Sequence, residues 1–396
     1  MKVKITFGAV LAVAATFSLL GTVGCRPTAT GEAADAGADG AMVDAGIIHV
    51  SMLYSSEMKE WIEAAAAPYR KAHPDVRLIL AAKSSITGGE SIIEEKETPT
   101  IFCPDDSTIL NLTAADWKAR GRADLFAADG EDAPAPLVVT PVVWVAWEDR
   151  ADVLRKGTKG RLTWRALHDA IASHEGWAGI GGPPAWGFVK LGQTDPTLST
   201  AGLSALYLMT LEYYGKPTVE EADLLKPDYE TWVKEIEKGV PKFETSPGTF
   251  MTDMVRFGPS KEDVAIVYEN VAIAQIENAQ GSGGHLKVYY PPATLVSDHP
   301  AAIVRADWVT EPQRQAARAW LAYLRSRPIQ EKAPGFGFRP GDVSVPVKTS
   351  DARNPWTRLA PYGIEAELPP VAKGPDGPIA RNLMTMWRRL VATDAQ

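Results

Sequence analysis

Three short apolar runs open the folded part of the chain, Ile47–Tyr54, Val76–Ala82 and Thr100–Cys103, and each ends in a polar turn. Between the first two, Met58, Trp61, Ile62, Ala65 and Tyr69 recur at helical spacing until Pro74 closes the segment. Parallel strands need a crossover of about a dozen residues or more, and a helix is the usual one. The alternation therefore predicts an α/β fold with a parallel sheet.

In such sheets ligands lie beyond the carboxyl ends of the strands. The turns found there are Ser55-Ser56, Lys83-Ser-Ser-Ile-Thr-Gly-Gly-Glu90 and Pro104-Asp-Asp-Ser107. They offer Ser55, Ser56, Ser84, Ser85, Asp105, Asp106 and Ser107 as ligand groups. Each also suits a helix cap, the commonest use of Ser and Asp before a helix.

A fourth segment of this kind lies at Trp186–Leu203. Phe188, Val189 and Leu191 read as a strand ending at Gly192. Asp195 or Ser199 can cap a following helix, Pro196 suits its first turn, and Leu203, Leu206 and Tyr207 follow at helical spacing. Backbone N–H groups at such a start can hold an anion or polar ligand.

The chain has 396 residues and a 45% hydrophobic composition, enough for two domains with real cores. Residues 1–24 stand apart: Lys2 and Lys4 precede an apolar run from Ile5 to Leu20 and then small residues, the pattern of a secretory signal. The stretch Leu20-Gly-Thr-Val-Gly-Cys25 resembles a bacterial lipoprotein processing site, although Thr22 stands where leucine is usual. It implies an exported, membrane-anchored lipoprotein on the periplasmic or extracellular side, lipidated at Cys25. Residues 25–46 read as a flexible tether, with a root-mean-square span of roughly 25 Å for a Gly-rich coil.

Without residues 1–24 the chain loses two lysines and no acids from its 41 basic and 49 acidic residues. Such an acidic chain, with dispersed basic residues, excludes nucleic acid as a partner. Cys103, alone once Cys25 is used, reads as a packed thiol at a strand end.

Beyond the linker Ala127–Pro136, the apolar run Leu137–Trp147, interrupted by Pro141, reads as a strand leaving one domain for another. Helices are expected over Trp164–Ile171, Ala201–Tyr214 and Tyr229–Gly239, a strand over Val264–Glu269, and a returning crossover at Lys287–Pro292. Thr310 and Gln313 stand at capping-box spacing before a helix facing Ala317, Trp320, Leu321 and Leu324 inward. The proline-rich stretch Val347–Pro375 leads to a closing helix, Ile379–Val391.

No catalytic constellation is present: no Gly-x-Ser-x-Gly elbow, no His-Glu-x-x-His helix and no phosphate loop. The chain is read as no enzyme, with no cofactor and no metal site. Most of its 12 tryptophans, among them Trp61, Trp144, Trp147, Trp320 and Trp387, sit at core spacing, leaving Trp177 and Trp186 to reach a cleft.

Together, Leu53-Tyr-Ser-Ser-Glu-Met-Lys-Glu-Trp61, Lys190-Leu-Gly-Gln-Thr-Asp-Pro196 with Ser199 and Gly202-Leu203, Val267-Tyr-Glu269, Tyr290-Pro-Pro292 with Asp298-His-Pro300, and Gly337-Phe-Arg-Pro340 carry a resemblance. The chain resembles bacterial extracellular solute-binding proteins, of the class that includes molybdate- and sulfate-type binders and feeds ABC importers. Several chains of that class continue into a von Willebrand factor A domain, which is not read here. The resemblance implies a two-lobed periplasmic binding protein type II fold with two crossover hinge strands. Lobe 1 would comprise 47–139 plus 295–396 and lobe 2 residues 140–294.

Carried over by position, the solute-facing groups are Ser55, Ser56, Ser84, Ser85, Asp105, Asp106 and Ser107 from one lobe, with Thr194, Asp195 and Ser199 from the other. Tyr268 and Glu269 follow near the returning hinge. Arg339 is a further candidate, able to clamp an oxyanion or pair with an acid. The implied partners are a small-molecule or ion solute, an ABC importer permease, and a membrane reached through the lipid anchor; the implied state is a monomer. The acidic groups depart from a simple oxyanion binder and leave the sign of the solute open. A sensor or scaffold on the same fold is the alternative function.

Overall fold

The computed structural model describes residues 46–279 and 284–392. The expected signal, Cys25 and the tether up to residue 45 lie outside the described residues. Among the described residues no helix is long and apolar enough to cross a membrane.

The chain begins with β1 (Ile48–Ser55), α1 (Lys59–Ala72), β2 (Val76–Lys83), α2 (Ser85–Ile93), β3 (Ile101–Cys103) and α3 (Ser107–Ala119). It continues through β4 (Ala135–Pro136), β5 (Val138–Trp147), α4 (Glu148–Leu154), α5 (Trp164–Ala172), β6 (Leu191–Gly192) and α6 (Thr200–Tyr214). Next come α7 (Pro227–Glu237), α8 (Pro247–Phe257), β7 (Val264–Tyr268), α9 (Glu269–Gln275), β8 (Leu286–Tyr289), β9 (Val296–Ser297) and β10 (Pro300–Ile303). The last elements are α10 (Glu311–Arg325), α11 (Arg327–Gln330), β11 (Arg339–Pro340), α12 (Pro355–Arg358) and α13 (Gly377–Trp387).

The fold is mixed α/β with two sheets. The first runs β2-β1-β3-β10-β4, with β1 parallel to β2 and β3, and β10 antiparallel to β3 and β4. Period-two alternation sorts its side chains between two faces. Val50, Met52, Tyr54, Ile101 and Cys103 pack with Trp61, Tyr69 and Trp320, while Leu53 and Phe102 meet Leu110 and Trp117 on the other side.

The second sheet is built on the ten-residue β5, which pairs antiparallel with β7, β8, β9 and β11. Its later residues Trp144 and Trp147 enter a large core with Trp164, Leu206, Trp232 and Phe250. Trp177 is buried there too, donating to Asp263, and Trp186 is covered by the Arg150 guanidinium 3.4 Å from its ring. Neither tryptophan is a bare platform.

Three sequence expectations shift. The turn after β2 is mostly the helix α2, in which Gly88 and Gly89 allow close packing: a Cβ on Gly89 would stand 2.4 Å from Thr113 Oγ1. The strand expected from Phe188 shrinks to the two residues of β6, and Phe188 itself is exposed. Tyr290-Pro-Pro292 ends the β8 ladder, since proline has no N–H to give. The return to the first sheet instead uses 294–297, where Val142 N–H donates to Leu295 O and β9 pairs Thr140 with Ser297. In the closing segment α13 packs on α3 and α6, and Trp356, Leu383 and Trp387 join the second core.

Candidate functional site

The carboxyl ends of β1 and β3 converge on one polar knot. Ser55 is buried at the end of β1, and its hydroxyl lies within hydrogen-bond reach of both Asp105 and, at 2.7 Å, Glu57. Ser85, the first residue of α2, accepts from the Asp105 N–H at 2.8 Å. Three separate turns of the sequence therefore meet at Asp105. Glu57, exposed to the sequence only as part of a helix start, is the acid that sequence reasoning passed over. Burial and the neighbouring Asp105 raise its pKa, against the pull of its serine hydrogen bonds.

Asp106 caps α3, accepting from Ile109 N–H at 3.1 Å. Burial dominates its titration and pushes its pKa up to about 7, with Asp105 and Asp298 adding repulsion. Ser107 gives both its N–H and its hydroxyl to Asp298, at 2.9 and 2.5 Å. Ser56 is exposed and turns to Glu57 at 3.1 Å.

The second sheet meets this knot from across the junction. Ser84 Oγ donates to Leu198 O at 2.7 Å, joining the end of β2 to the turn before α6. In that turn Thr194 donates to Ser199 Oγ at 3.0 Å, and Asp195 Oδ1 accepts from both the N–H and the hydroxyl of Thr197 at 2.7 Å. Asp195 therefore closes an Asx turn instead of capping a helix, Pro196 stays outside helix, and α6 starts at Thr200 with Ser199 before it. Gly202 lets the helix lie against this turn, for a Cβ there would stand 2.3 Å from Thr194 O.

Tyr268, at the carboxyl end of β7, is 1% exposed; its hydroxyl lies near Ser297 but makes no hydrogen bond of normal geometry. Burial raises its pKa far above the usual phenol range, and Asp105, Asp106 and Glu57 all push the same way.

Glu269, its neighbour, is committed elsewhere. The Arg339 fork holds it through Nε to Oε2 at 2.8 Å and Nη2 to Oε1 at 2.7 Å, and Tyr290 donates to it as well. Arg339 also donates to Ala366 O at 2.6 Å and Glu365 O at 2.7 Å, tying the proline-rich tail to β11. Of its two readings, the structure gives Arg339 the acid as partner.

His299 organises the hinge side. It sits at φ 40°, a strained backbone for a non-glycine residue, with its N–H donating to Asp105 O at 2.9 Å and Nδ1 3.0 Å from Val138 O. Burial lowers its pKa and keeps the ring neutral. Cys103 is buried beneath, its thiol pKa raised well above normal by burial, with Sγ 3.4 Å from His299 O. Asp298-His-Pro in sequence after Val296 was the available signal for this corner. Among the described residues no group of three His, Cys, Asp or Glu side chains is placed to hold a metal ion.

Comparison with known proteins follows the same lines. Three solved structures share the fold. A sulfate-binding protein from Mycobacterium tuberculosis is 18% identical, with a TM-score of 0.52, over 82% of this chain and 94% of its own. A periplasmic thiamin binding protein is 15% identical with a TM-score of 0.58, over 87% and 96%. A Trichodesmium protein in complex with iron and citrate is 14% identical with a TM-score of 0.53, over 87% and 99%. No curated protein matches the sequence. By their descriptions the family is one of extracellular solute-binding proteins, and the three structures bind sulfate, thiamin, and iron with citrate. The model of the bacterial extracellular solute-binding protein family matches residues 50–339, so the chain belongs to that family.

Proposed function

We propose that this protein is tethered through a lipidated Cys25 and captures a small solute between two lobes, 47–139 with 295 onward and 140–294, for delivery to an ABC importer permease. The observation that carries the reading is the convergence of strand ends: Ser55 and Asp105 meet at the ends of β1 and β3, and Ser84 after β2 reaches Leu198 before α6, beside the connections that join the sheets. Ligands of open α/β sheets sit at such carboxyl ends. Two connecting strands between the sheets allow a hinge motion that closes the lobes.

Thermal unfolding against a panel of importer solutes tests capture. A ligand at a hundred times its dissociation constant stabilises by about 2.7 kcal/mol. A flat response to every solute in the panel overturns the reading. Uptake of the responding solute by cells lacking the gene then separates delivery from sensing: unchanged uptake assigns the protein to a sensor or scaffold role.

A further inference from the structure

The basic residues, dispersed over most of the chain, gather between Arg155 and Arg165, where five of eleven residues are Arg or Lys and none is acidic. This stretch is the loop joining α4 to α5 and the start of α5. Lys159 sits in it at φ 55°, between Gly157 at 77° and Gly160 at 76°, in the left-handed region that a lysine rarely adopts. The loop forms one side of a cavity of about 960 Å³, at the upper end of the range of small-molecule sites, about 300–1,000 Å³.

Leu208 and Leu211 of α6, Pro291 and Pro292 after β8, and Val371 of the proline-rich tail line this cavity. The two leucines are buried and Val371 is 54% exposed. Prolines offer no N–H and leucines no polar side-chain atom, so this part of the lining meets a ligand with carbon. The charged lining is Lys159, Arg165, Lys216, Lys373 and Glu212. Lys216 is held by Asp223 at 3.0 Å, and Glu212 already accepts from the Arg165 backbone N–H at 2.9 Å. Lys159, Arg165 and Lys373 are exposed, and their side chains make no hydrogen bond or ion pair among the described residues.

Exposed cations alone mark nothing, because water solvates them. Here three of them rim an apolar hollow, in a chain whose 49 acidic residues outnumber its 41 basic ones. A ligand complementary to both features has a carbon body and an anionic end: the body covers the leucines and prolines, and the end replaces water on the cations. The hollow is apart from the polar knot, since Leu211 stands about 17 Å along α6 from its first residue, Thr200, which follows the 194–199 turn.

We infer that this cavity is a second binding site, distinct from the cleft where solute capture is proposed, and that it takes a free amphipathic anion, a small hydrocarbon body ending in a carboxylate. Lys159, Arg165 and Lys373 hold the carboxylate, and Leu208, Leu211 and Val371 lie along the body. A hollow of this size favours a free molecule over a membrane surface, whose head groups lie in a plane and leave the buried leucines untouched.

The test is calorimetric titration of the full-length protein with octanoate. Its comparison probes are 1-octanol, which keeps the body without the charge, octylammonium, which reverses the charge, and acetate, which keeps the charge without the body. Octanoate is expected to bind most tightly of the four, acetate to give no binding, and added salt to weaken octanoate. Lys159→Gln and Arg165→Gln each weaken octanoate about threefold or more and 1-octanol by less. Val371→Asp, which sets a like charge in the apolar lining at an exposed position, weakens octanoate about tenfold. Far-ultraviolet circular dichroism confirms that the three variants are folded. No octanoate binding overturns the inference, and so does octanoate binding that all three folded variants leave untouched. Binding of 1-octanol as tight as octanoate, or of octylammonium tighter, overturns the anionic assignment. Association with phosphatidylglycerol vesicles that Lys159→Gln and Arg165→Gln abolish, without octanoate binding, gives the basic loop to a membrane surface and overturns the free ligand. The unfolding response to the importer-solute panel is expected to be the same in Lys159→Gln and Arg165→Gln as in the parent; a changed response overturns the separation of the two sites and leaves solute capture standing.

Discussion

Arg339 and Glu269 form a two-bond ion pair, 2.8 and 2.7 Å, with side chains only 6% and 0% exposed. The pair lies 70 residues apart in sequence and fastens β11 and the proline-rich tail to the start of α9. Breaking one side leaves a charge buried and alone, which costs about 3–5 kcal/mol. Arg339→Leu is therefore expected to lower the melting temperature sharply. Arg339→Lys recovers only part of it, because an ammonium does not reproduce the fork. Thermal unfolding of the two variants checks this.

Stability is expected to fall as pH rises from about 5 to 8. Burial raises the carboxyl pKa values of Asp106 and Glu262 to about 7 and of Glu237 to about 8. A folded-state pKa above the unfolded one means that the folded protein holds more protons in this window. The stability these groups contribute is full below the ordinary carboxylate range and lost as pH passes the folded values. Glu237→Gln, which keeps a partner for Gln193 Nε2 now 3.0 Å away, flattens the upper part of the profile. Melting curves across pH for both proteins decide it.

Gly202→Ala is expected to cost about 1–3 kcal/mol, because its Cβ would press on the backbone of Thr194 and Pro196 and something must shift. The turn at 194–199 moves with it, so solute affinity falls as well. Calorimetry and unfolding on one preparation read both effects.

Ser84→Ala removes the hydrogen bond to Leu198 O that ties the two sheets at their facing ends. The expected loss is about 1 kcal/mol. Small-angle scattering of the unliganded variant should show a larger radius of gyration, and an unchanged radius rejects the role of this bond in holding the lobes together.

Cys103 is buried, and burial keeps its thiol protonated. A thiol reagent is expected to label none of it in the native Cys25→Ser variant and to label one thiol per chain after denaturation. Rapid labelling of the native protein contradicts the packing at the end of β3.

Much of the fold was legible from local pattern. The strands β1, β2 and β3 and their parallel pairing follow from the apolar runs, and the helix beginning after Thr310 carries the capping box its sequence announces. Where the reading missed, a distant partner had overridden a local signal. Gly88 and Gly89 look like a turn, yet they let α2 approach α3; Asp195 looks like a helix cap, yet Thr197 captures its carboxylate. Glu57 was hidden because nothing in its own segment shows that Asp105 lies beside it.

The sequence by itself determined the alternation of strands and helices, the long β5 that joins the two sheets, and the placing of polar turns at strand ends, because each follows from spacing within a few residues. Only the tertiary structure decided what those polar groups do. It gave Arg339 to Glu269, Ser84 to Leu198 and Ser107 to Asp298. The physical reason is that a buried charge or hydroxyl takes whichever partner the packed elements bring within about 3 Å, and that choice is not encoded in the neighbourhood of either residue along the chain.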